Sequence, residues 1–466
     1  MLRRTAAALA LTLGVTLAGP AATASTPYAA ALSQPREDSY YPAKGDPGVD
    51  ALKYRLALTW LPASRTLQGT ATIVLRATTD ADGFQLDLAG SMKVRRVTVD
   101  GVSVSATHPG KLLKVAAPVE ADTRYRVKIV YAGTPATVRA PSARADVDGL
   151  GWHTGRNGQT WTVQQPFGAY TWYPVNDHPS DKALYDVQLD VPQPWIGISN
   201  GQMVKRGSVD GRTVTRFTNR DPIASYAVTV AIGAYKRYTQ TGPHGLPITQ
   251  WVPRSSTELV NPLRMMPEAL RFLEARLGPY PLDRVGVVVT PGEAAVEGQT
   301  MIGLGRGNYR YGNRDVRETM VHQLAHAWYG NTVTPDDWSD VWMNDGMATY
   351  LQARFSAAKK WSTWRSWQRR WARDDDFWRE LYGPPGGYTA KYFGAPNVHQ
   401  SAALLLDRLR LQLGTATFNE LARRWPQEHR NSNQDRADYE RWLEARTGRD
   451  LGPFLKTWLL ARNSPA

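Results

Sequence analysis

The hydrophobic period of the chain changes near residue 240, and this change limits the possible folds more than any other feature of the sequence. Between about 50 and 235, apolar and polar residues alternate, as in residues 70–75 and 124–131, which is typical of strands with one buried face. The pair Asp100-Gly101 lies between two valine-rich alternating runs and predicts a hairpin. After 240 the apolar spacing becomes three and four residues, as in 263–277. The sequence therefore predicts a multidomain α+β chain, with an antiparallel β domain over 46–236 and a mainly α domain with a small sheet over 237–466.

The second half contains one predicted buried strand and several predicted helices. The strand is the apolar run 285–290, and the helices are 314–330, 344–360, 402–413 and 416–425. Tryptophans also recur at helical spacing, at positions 361, 364, 367, 371 and 378. We interpret them as a broad stripe that packs on the core. The alternative is an aromatic platform for a ligand or a membrane surface.

The first 24 residues have the composition of a secretory signal. Arg3 and Arg4 precede an apolar run over 5–18, and Ala22-Thr23-Ala24 is a small-residue cleavage site. We therefore expect a secreted protein, cleaved after Ala24, in which residues 25–45 form a linker rich in Ala, Ser, Pro and Tyr. A retained membrane anchor is the alternative. No other stretch approaches the roughly 18 apolar residues of a membrane span, so stable membrane insertion is not expected.

The absence of cysteine and the net charge exclude several classes of function. Without cysteine the chain has no disulfide and no thiolate nucleophile, and any metal must be held by imidazole and carboxylate groups. The formal net charge of +14 is compatible with nucleic acid or an anionic envelope as partner. However, the basic residues are spread along the chain and accompany no nucleic-acid-binding motif, so we expect no nucleic acid partner.

Two histidines, His322 and His326, lie four residues apart in a predicted helix. At this spacing both side chains point to one face of the helix, so both imidazoles can bind one metal ion. Asp345 follows nineteen residues after His326, at the start of the next predicted helix. A carboxylate there would complete a His-His-carboxylate zinc site with one open position. Asp340, just before that helix, is placed to orient one imidazole from behind.

The sequence around these histidines resembles the zinc core of the aminopeptidase N family, the gluzincin metallopeptidases. The run ETMVHQLAHAWYGNTVTPDDWSDVWMNDGMATY (318–350) has the family's spacing of HExxH, eighteen residues and the third ligand. AAVEGQTM (294–301) is similar to the family's Gly-x-Met-Glu-Asn segment. The resemblance extends to QQPFGAYTWYPVNDHPSDKALYDV (164–187) and DLGPFLKTWL (450–459), and so covers nearly the whole mature chain.

This resemblance implies a fold, a cofactor and a substrate class. The fold would be a saddle-like N-terminal β domain followed by a thermolysin-like catalytic domain. One zinc ion would be held by His322, His326 and Asp345. The substrates would be peptides with a free N-terminus, from which the terminal residue is hydrolysed. Glu297 would bind the substrate ammonium group, with Gln165 as a second contact.

Three positions depart from the family pattern, and all three bear on catalysis. Gln323 occupies the position of the general base, and a neutral amide cannot accept a proton. Asp345 is one methylene shorter than the family's glutamate ligand. The family's oxyanion-stabilising tyrosine falls on His399 when the following leucine-rich run is aligned without a gap, and on Tyr392 if the gap is placed elsewhere.

Two hypotheses of different class follow. The first is a secreted zinc aminopeptidase with impaired catalysis, in which Glu293 is the nearest carboxylate in sequence that could replace the missing base. The second is a non-catalytic pseudopeptidase that binds peptide N-termini. A third hypothesis, adhesion to an anionic surface through the net charge, has no motif to support it.

Overall fold

The computed structural model describes residues 28–465, so the predicted signal peptide, residues 1–24, lies outside the described residues. The strands of the first half are β1 (Val49–Leu61), β2 (Thr66–Ala77), β3 (Phe84–Asp87), β4 (Met92–Val99), β5 (Val102–Ser103), β6 (Ser105–Thr107), β7 (Leu112–Ala116), β8 (Arg124–Gly133), β9 (Thr137–Val138), β10 (Leu150–Thr154), β11 (Thr160–Val163), β12 (Lys182–Pro192), β13 (Ile196–Ser199), β14 (Gln202–Val209), β15 (Arg212–Thr218), β16 (Ile223–Ala224) and β17 (Val230–Gly233). Those of the second half are β18 (Tyr235–Thr241), β19 (Pro247–Pro253), β20 (Val285–Thr290), β21 (Ala295–Val296), β22 (Ile302–Gly305), β23 (Val333–Pro335) and β24 (Ser432–Gln434). The α-helices are α1 (Met266–Leu277), α2 (Asn313–Ala325), α3 (Trp342–Ala358), α4 (Trp364–Tyr382), α5 (Ala402–Leu413), α6 (Thr415–Glu428), α7 (Arg436–Thr447) and α8 (Gly452–Leu460).

The largest sheet of the first half has nine strands, in the order β14-β15-β12-β1-β2-β8-β4-β5 with β16 paired to β12. Along β2 every second residue is buried, as the alternating pattern predicts. The Asp100-Gly101 hairpin is confirmed, because Val99 pairs with Val102 across it. One pairing differs from the predicted antiparallel domain: β1 and β12 run parallel. Parallel neighbours need a long crossover, and the chain from β2 to β11 provides it.

The second half places helices around a five-stranded sheet of order β18-β19-β20-β22-β21. The predicted strand 285–290 is confirmed as β20, which is buried along its whole length and pairs in parallel with β19 and β22. Helix α1 ends before Gly278, whose φ of 84° is a conformation that glycine adopts without a Cβ penalty. Apolar residues of the sheet and of α1, α2, α3 and α5 form one core cluster, which holds the helices in fixed positions over the sheet.

The tryptophan-rich helix α4 packs on this core through part of its stripe. Trp371 is fully buried, and Trp364 and Trp367 pack against the same cluster while remaining partly exposed. Trp364 also meets Tyr350 of α3 edge to face, with ring centroids 5.2 Å apart. The interpretation of the stripe as a packing surface is therefore confirmed for these three tryptophans. Within residues 28–465, no helix combines the length and apolarity needed to cross a membrane.

Buried polar contacts join the two halves. The Lys182 ammonium group donates a hydrogen bond to the Thr332 carbonyl oxygen at 3.1 Å, and the Tyr226 hydroxyl donates to the Gly330 carbonyl oxygen at 3.0 Å. Both carbonyl groups lie in the turn that follows α2. The first half therefore stabilises, through hydrogen bonds, the turn that follows the predicted ligands His322 and His326.

The segment 28–45, expected to be a linker, contacts both halves where it is described. The Ser39 hydroxyl donates to Asp337 at 2.8 Å, and the Tyr41 hydroxyl donates to the Ala390 carbonyl oxygen at 2.6 Å. Ser33 is buried, and its backbone N–H donates to Asp50 of β1 at 3.2 Å. These contacts fix the segment along the junction between the two halves.

Candidate metal centre

Two helices bring the three predicted metal ligands together. His322 lies in the last turn of α2, His326 caps the C-terminus of that helix, and Asp345 lies in the first turn of α3. The Nε2 atoms of His322 and His326 are 3.7 and 3.8 Å from Asp345 Oδ1. The helix predicted over 314–330 ends at Ala325, but His326 keeps helical dihedral angles (φ −61°, ψ −18°). The expected i, i+4 relation between the two imidazoles is therefore preserved.

A backbone carbonyl group, and not Asp340, orients His326. His326 Nδ1 is 3.1 Å from the Tyr329 carbonyl oxygen, so Nδ1 donates a hydrogen bond to that oxygen and Nε2 faces Asp345. Asp340 instead accepts hydrogen bonds from the Trp342 indole at 3.1 Å and from the Arg436 backbone N–H at 2.9 Å. The prediction that Asp340 orients an imidazole is wrong, because its carboxylate is directed at the N-terminus of α7.

The ionisation of the ligand groups suits a metal ion. Burial lowers the pKa of His322 to about 3, so this imidazole is neutral at neutral pH. Burial opposes the ionisation of Asp345, but the neighbouring rings, His399 first, outweigh this effect and hold the pKa of its carboxyl below the usual range. Neutral imidazoles beside an ionised carboxylate are the groups that bind zinc in proteins without cysteine ligands.

An unsatisfied buried atom provides a test of whether a metal fits. His326 Nε2 is fully buried and has no hydrogen-bond partner among the described residues. Buried polar atoms are nearly always paired, so this atom requires a partner that side chains and backbone do not supply. A zinc ion between His322, His326 and Asp345 would supply it, and the donor set fits that ion.

The position next to His322 carries an amide, and Glu293, the candidate substitute for a base, does not line the cleft. Gln323 lines the same cleft and is 6% exposed, and its Oε1 has no hydrogen-bond partner within residues 28–465. Glu293, the candidate substitute, forms an ion pair with Arg310 at 2.6 Å and is not among the residues that line the cleft. Glu293 precedes the edge strand β21, whereas Glu297 follows it, so the two carboxylates lie at opposite ends of that strand.

The predicted amine-binding residues are in contact with each other in this cleft. Gln165 Nε2 donates a hydrogen bond to Glu297 Oε1 at 2.5 Å. Glu297 is buried and forms no ion pair with any residue in the described part of the chain. Burial raises the pKa of Glu297, and the nearby Asp345 carboxylate adds to the shift. A buried carboxylate with lone pairs to spare can accept hydrogen bonds from an ammonium group.

Of the two alternatives for the oxyanion donor, the structure places His399 in the cleft and Tyr392 outside it. His399 Nδ1 lies 3.3 Å from Asp345 Oδ1, and its ring centroid is 5.6 Å from that of His322. Tyr392 packs edge to face against Tyr382, with ring centroids 5.2 Å apart, and does not line the cleft. His399 reaches the site from a π-helical turn, Asn397–Ser401, that leads into α5. π-helical turns are frequent at functional sites because they re-aim side chains.

The cleft also contains an ion pair that the sequence analysis did not identify. Arg144 binds Asp146 through two hydrogen bonds, at 3.0 and 2.6 Å, and both residues line the cleft. They belong to a loop of the first half, which the Ser142 hydroxyl ties to the Phe393 carbonyl oxygen of the second half at 2.8 Å. In the sequence, the only indication of a function for this segment is that several charged residues lie close together in a loop. The sequence does not indicate which distant site such a loop contacts.

Comparison with known proteins assigns both halves to one family. The model of the Peptidase M1 N-terminal domain matches residues 50–227, and that of the Peptidase family M1 domain matches residues 268–458. Human glutamyl aminopeptidase is 26% identical over 213 residues, which are 42% of this chain and 22% of that protein. Aminopeptidase M1-A of Oryza sativa subsp. japonica is 24% identical over 332 residues, 65% of this chain and 37% of that protein. The chain thus spans well under half the length of these curated relatives.

Solved structures of similar size share the whole architecture. A crystal structure of an M1 zinc metallopeptidase from Deinococcus radiodurans has a TM-score of 0.81 at 25% identity, covering 92% of this chain and 97% of that chain. A glutamate-to-alanine mutant from the same organism, bound to a Tyr-Ser-Ala substrate, has a TM-score of 0.82 at 25% identity and covers 92% and 98% of the two chains. With both halves matched and the predicted ligands converging between α2 and α3, the chain belongs to the peptidase M1 family, the aminopeptidase N type of gluzincin.

Proposed function

We propose that this protein is an exported M1-family protein that holds zinc and captures peptides by their free N-terminus, with hydrolysis impaired by the loss of the general base. One observation carries the proposal. Glu297 and Gln165, the two residues that the family resemblance assigns to amine binding, are hydrogen-bonded to each other in the same cleft as Gln323, an amide at the position where a peptidase needs a carboxylate.

The amine-binding part of the proposal depends on Glu297. Its carboxylate is buried and has the Gln165 amide as its hydrogen-bond partner, so it keeps lone pairs that could accept hydrogen bonds from a substrate ammonium group. A hydrogen bond to a charged group is typically worth about 1.5 to 3 kcal/mol. The mutant relatives support this interpretation, since M1 metallopeptidases with a glutamate replaced by alanine bind Tyr-Ser-Ala, L-arginine and L-tryptophan.

The impaired chemistry depends on Gln323 and Asp345. Zinc, when bound, supplies Lewis-acid activation of a scissile carbonyl group. The Gln323 amide can hold a water molecule by hydrogen bonding but cannot take its proton, and loss of a general base typically costs ~10² to 10⁴ in rate. Asp345 is one methylene shorter than the family's glutamate, so the start of α3 would have to lie closer to a bound zinc ion than a glutamate ligand requires. We therefore infer slow hydrolysis at best.

A purely non-catalytic function is the second candidate, and one distance favours it. His399 Nδ1 lies 3.3 Å from Asp345 Oδ1, close enough that His399 could occupy the position that a peptidase keeps open for its reaction. In that case the protein would retain peptides without cleaving them.

Binding of peptides can be tested by calorimetry with Tyr-Ser-Ala and its N-acetylated form. We expect acetylation, or the variant Glu297→Gln, to weaken binding by about 10-fold or more, because each removes a charge-assisted hydrogen bond. Glu293→Gln is the matched control, since this carboxylate pairs with Arg310 outside the cleft. Equal affinity for the free and acetylated peptides would overturn the assignment of the amine site.

Hydrolysis and export need separate measurements. A panel of aminoacyl fluorogenic amides, incubated with the zinc-loaded protein, should be cleaved slowly or not at all relative to the His322→Ala background. A rate typical of an intact peptidase would show that another group acts as the base.

Protein recovered from the culture medium should begin at Ser25 on N-terminal sequencing, and an N-terminus retained at Met1 would contradict export by signal cleavage.

A further inference from the structure

His399 lies close enough to the predicted metal ligands to bind the same metal ion. Its Nδ1 is 3.3 Å from Asp345 Oδ1, which is shorter than the separation of either predicted histidine ligand from the same oxygen atom. One ligand atom from each of His322, Asp345 and His399 can be chosen so that all three lie within 4.8 Å of one another. His399 therefore belongs to the cluster of donor atoms by geometry, although the sequence comparison gave it a different role.

These separations agree with those expected between ligands of one ion. Two donors held 2.0 to 2.1 Å from a tetrahedral zinc ion are separated by about 3.3 Å. The distances from Asp345 Oδ1 to the ring nitrogens of His399, His322 and His326 are 3.3, 3.7 and 3.8 Å. All three are within about half an ångström of that value. His326 lies outside the three-residue group whose donor atoms are all within 4.8 Å of one another, so its ring would have to move inward for all four groups to bind one ion.

The position of His399 in the fold also keeps its ring beside the predicted ligands. Its ring centroid lies 5.6 Å from that of His322, and both residues line the same cleft. The π-helical turn Asn397–Ser401, whose residues Asn397, Val398 and Ser401 are buried, fixes the direction of the ring.

We propose that His399 is a fourth protein ligand to the metal and closes the coordination sphere that the three predicted ligands leave open. Structural zinc sites have four protein ligands, whereas catalytic sites keep one position for water or substrate. The metal centre of this protein is then a closed site, which stabilises α2, α3 and the start of α5 and forms one wall of the peptide cleft. This inference rests on the proposed zinc binding but not on the proposed capture of peptides.

X-ray absorption at the zinc edge tests the proposal directly, because it counts the imidazole ligands without any assay of activity. The zinc-loaded wild-type protein should show three imidazole ligands, and His399→Phe should show two. Zinc affinity, measured by competition with a chelator, should fall by at least about 100-fold in His399→Phe, since even the loss of a group behind a ligand costs 10- to 100-fold. His244→Asn is the matched control: this histidine is 78% exposed in its side chain, and asparagine tolerates its positive φ of 54°.

The possible outcomes separate this proposal from the proposed function. If His399→Phe keeps the wild-type number of imidazole ligands, His399 only pairs with Asp345 and the proposal is overturned. A wild-type protein that binds no zinc would also overturn it. Calorimetry with Tyr-Ser-Ala on the same samples tests the role of Glu297 independently of the metal ligands. If the wild-type protein shows three imidazole ligands but does not bind the peptide, only the proposed function is overturned. Circular dichroism of metal-free His399→Phe verifies that the variant is folded.

Discussion

If the proposed function and the fourth ligand are both correct, a carboxylate at position 323 should increase hydrolysis only when His399 is also replaced. The change is a double-mutant cycle of Gln323→Glu and His399→Tyr. Gln323 is buried and its Oε1 has no partner among the described residues, so glutamate, which has the same shape, fits there without displacing a neighbour. His399→Tyr removes the ring nitrogen that lies 3.3 Å from Asp345 Oδ1.

The expected magnitude follows from the role of each residue. A positioned general base contributes ~10² to 10⁴ in rate, which corresponds to about 3 to 5 kcal/mol of activation free energy. With His399 bound to the metal, the carboxylate of Gln323→Glu has no water to activate, so this variant alone should gain less than about 10-fold. His399→Tyr alone lacks the base and should gain equally little. The double variant should exceed the more active single variant by at least about 100-fold in kcat/KM, a strongly non-additive result.

The assay is hydrolysis of aminoacyl fluorogenic amides by zinc-loaded protein, with His322→Ala as background. If Gln323→Glu alone gives the full gain, the fourth position is already open in the wild-type protein and His399 is not a ligand. If the double variant stays at background while binding zinc and peptide normally, Gln323 does not occupy the position of the base. Either result would refute the reasoning.

Three further predictions concern the metal, a buried lysine and the core. Removal of zinc by a chelator should lower the free energy of unfolding by about 4 kcal/mol, compared with protein in free zinc at about a thousand times the dissociation constant. The chelator should have no effect on the stability of His322→Ala. Burial lowers the pKa of Lys182 from 10.5 to about 7, so between these pH values the unfolded state binds more protons. Across this range the free energy of unfolding of the wild type should therefore rise with pH by a few kcal/mol relative to that of Lys182→Met. Parallel pH profiles of the two proteins would contradict the lowered pKa of Lys182. Trp371→Ala should destabilise the second half by about 3 to 5 kcal/mol in denaturant titrations, because it empties a fully buried position, whereas the exposed Phe377→Ala should cost much less.

The sequence alone predicted the features that depend on local spacing. The change of period near residue 240 separated a β-rich half from a helical half, because side chains alternate across a strand and return every three or four residues on a helix. The i, i+4 relation placed His322 and His326 on one face, and the family resemblance added Asp345, Glu297 and Gln165. The structure brings all five to one cleft region, where both imidazole rings lie beside the Asp345 carboxylate and the Gln165 amide contacts Glu297.

Tertiary structure alone decided which of several plausible side chains reach the metal centre. A π-helical turn directs His399 inward, and Tyr392 packs elsewhere, although both fitted the alignment. Glu293 and Asp340 were plausible by proximity in sequence, but packing directs one to Arg310 and the other to the N-terminus of α7.

The contribution of the first half to the cleft was equally beyond sequence reasoning. Arg144 and Asp146 reach the cleft because the Ser142 loop is tied to Phe393, a contact between residues 251 positions apart. Likewise, the parallel pairing of β1 with β12 depends on a long crossover. Local periodicity specifies which face a side chain occupies, but contacts between distant segments are set by how the whole core packs, and that information is not contained in any short stretch of the chain.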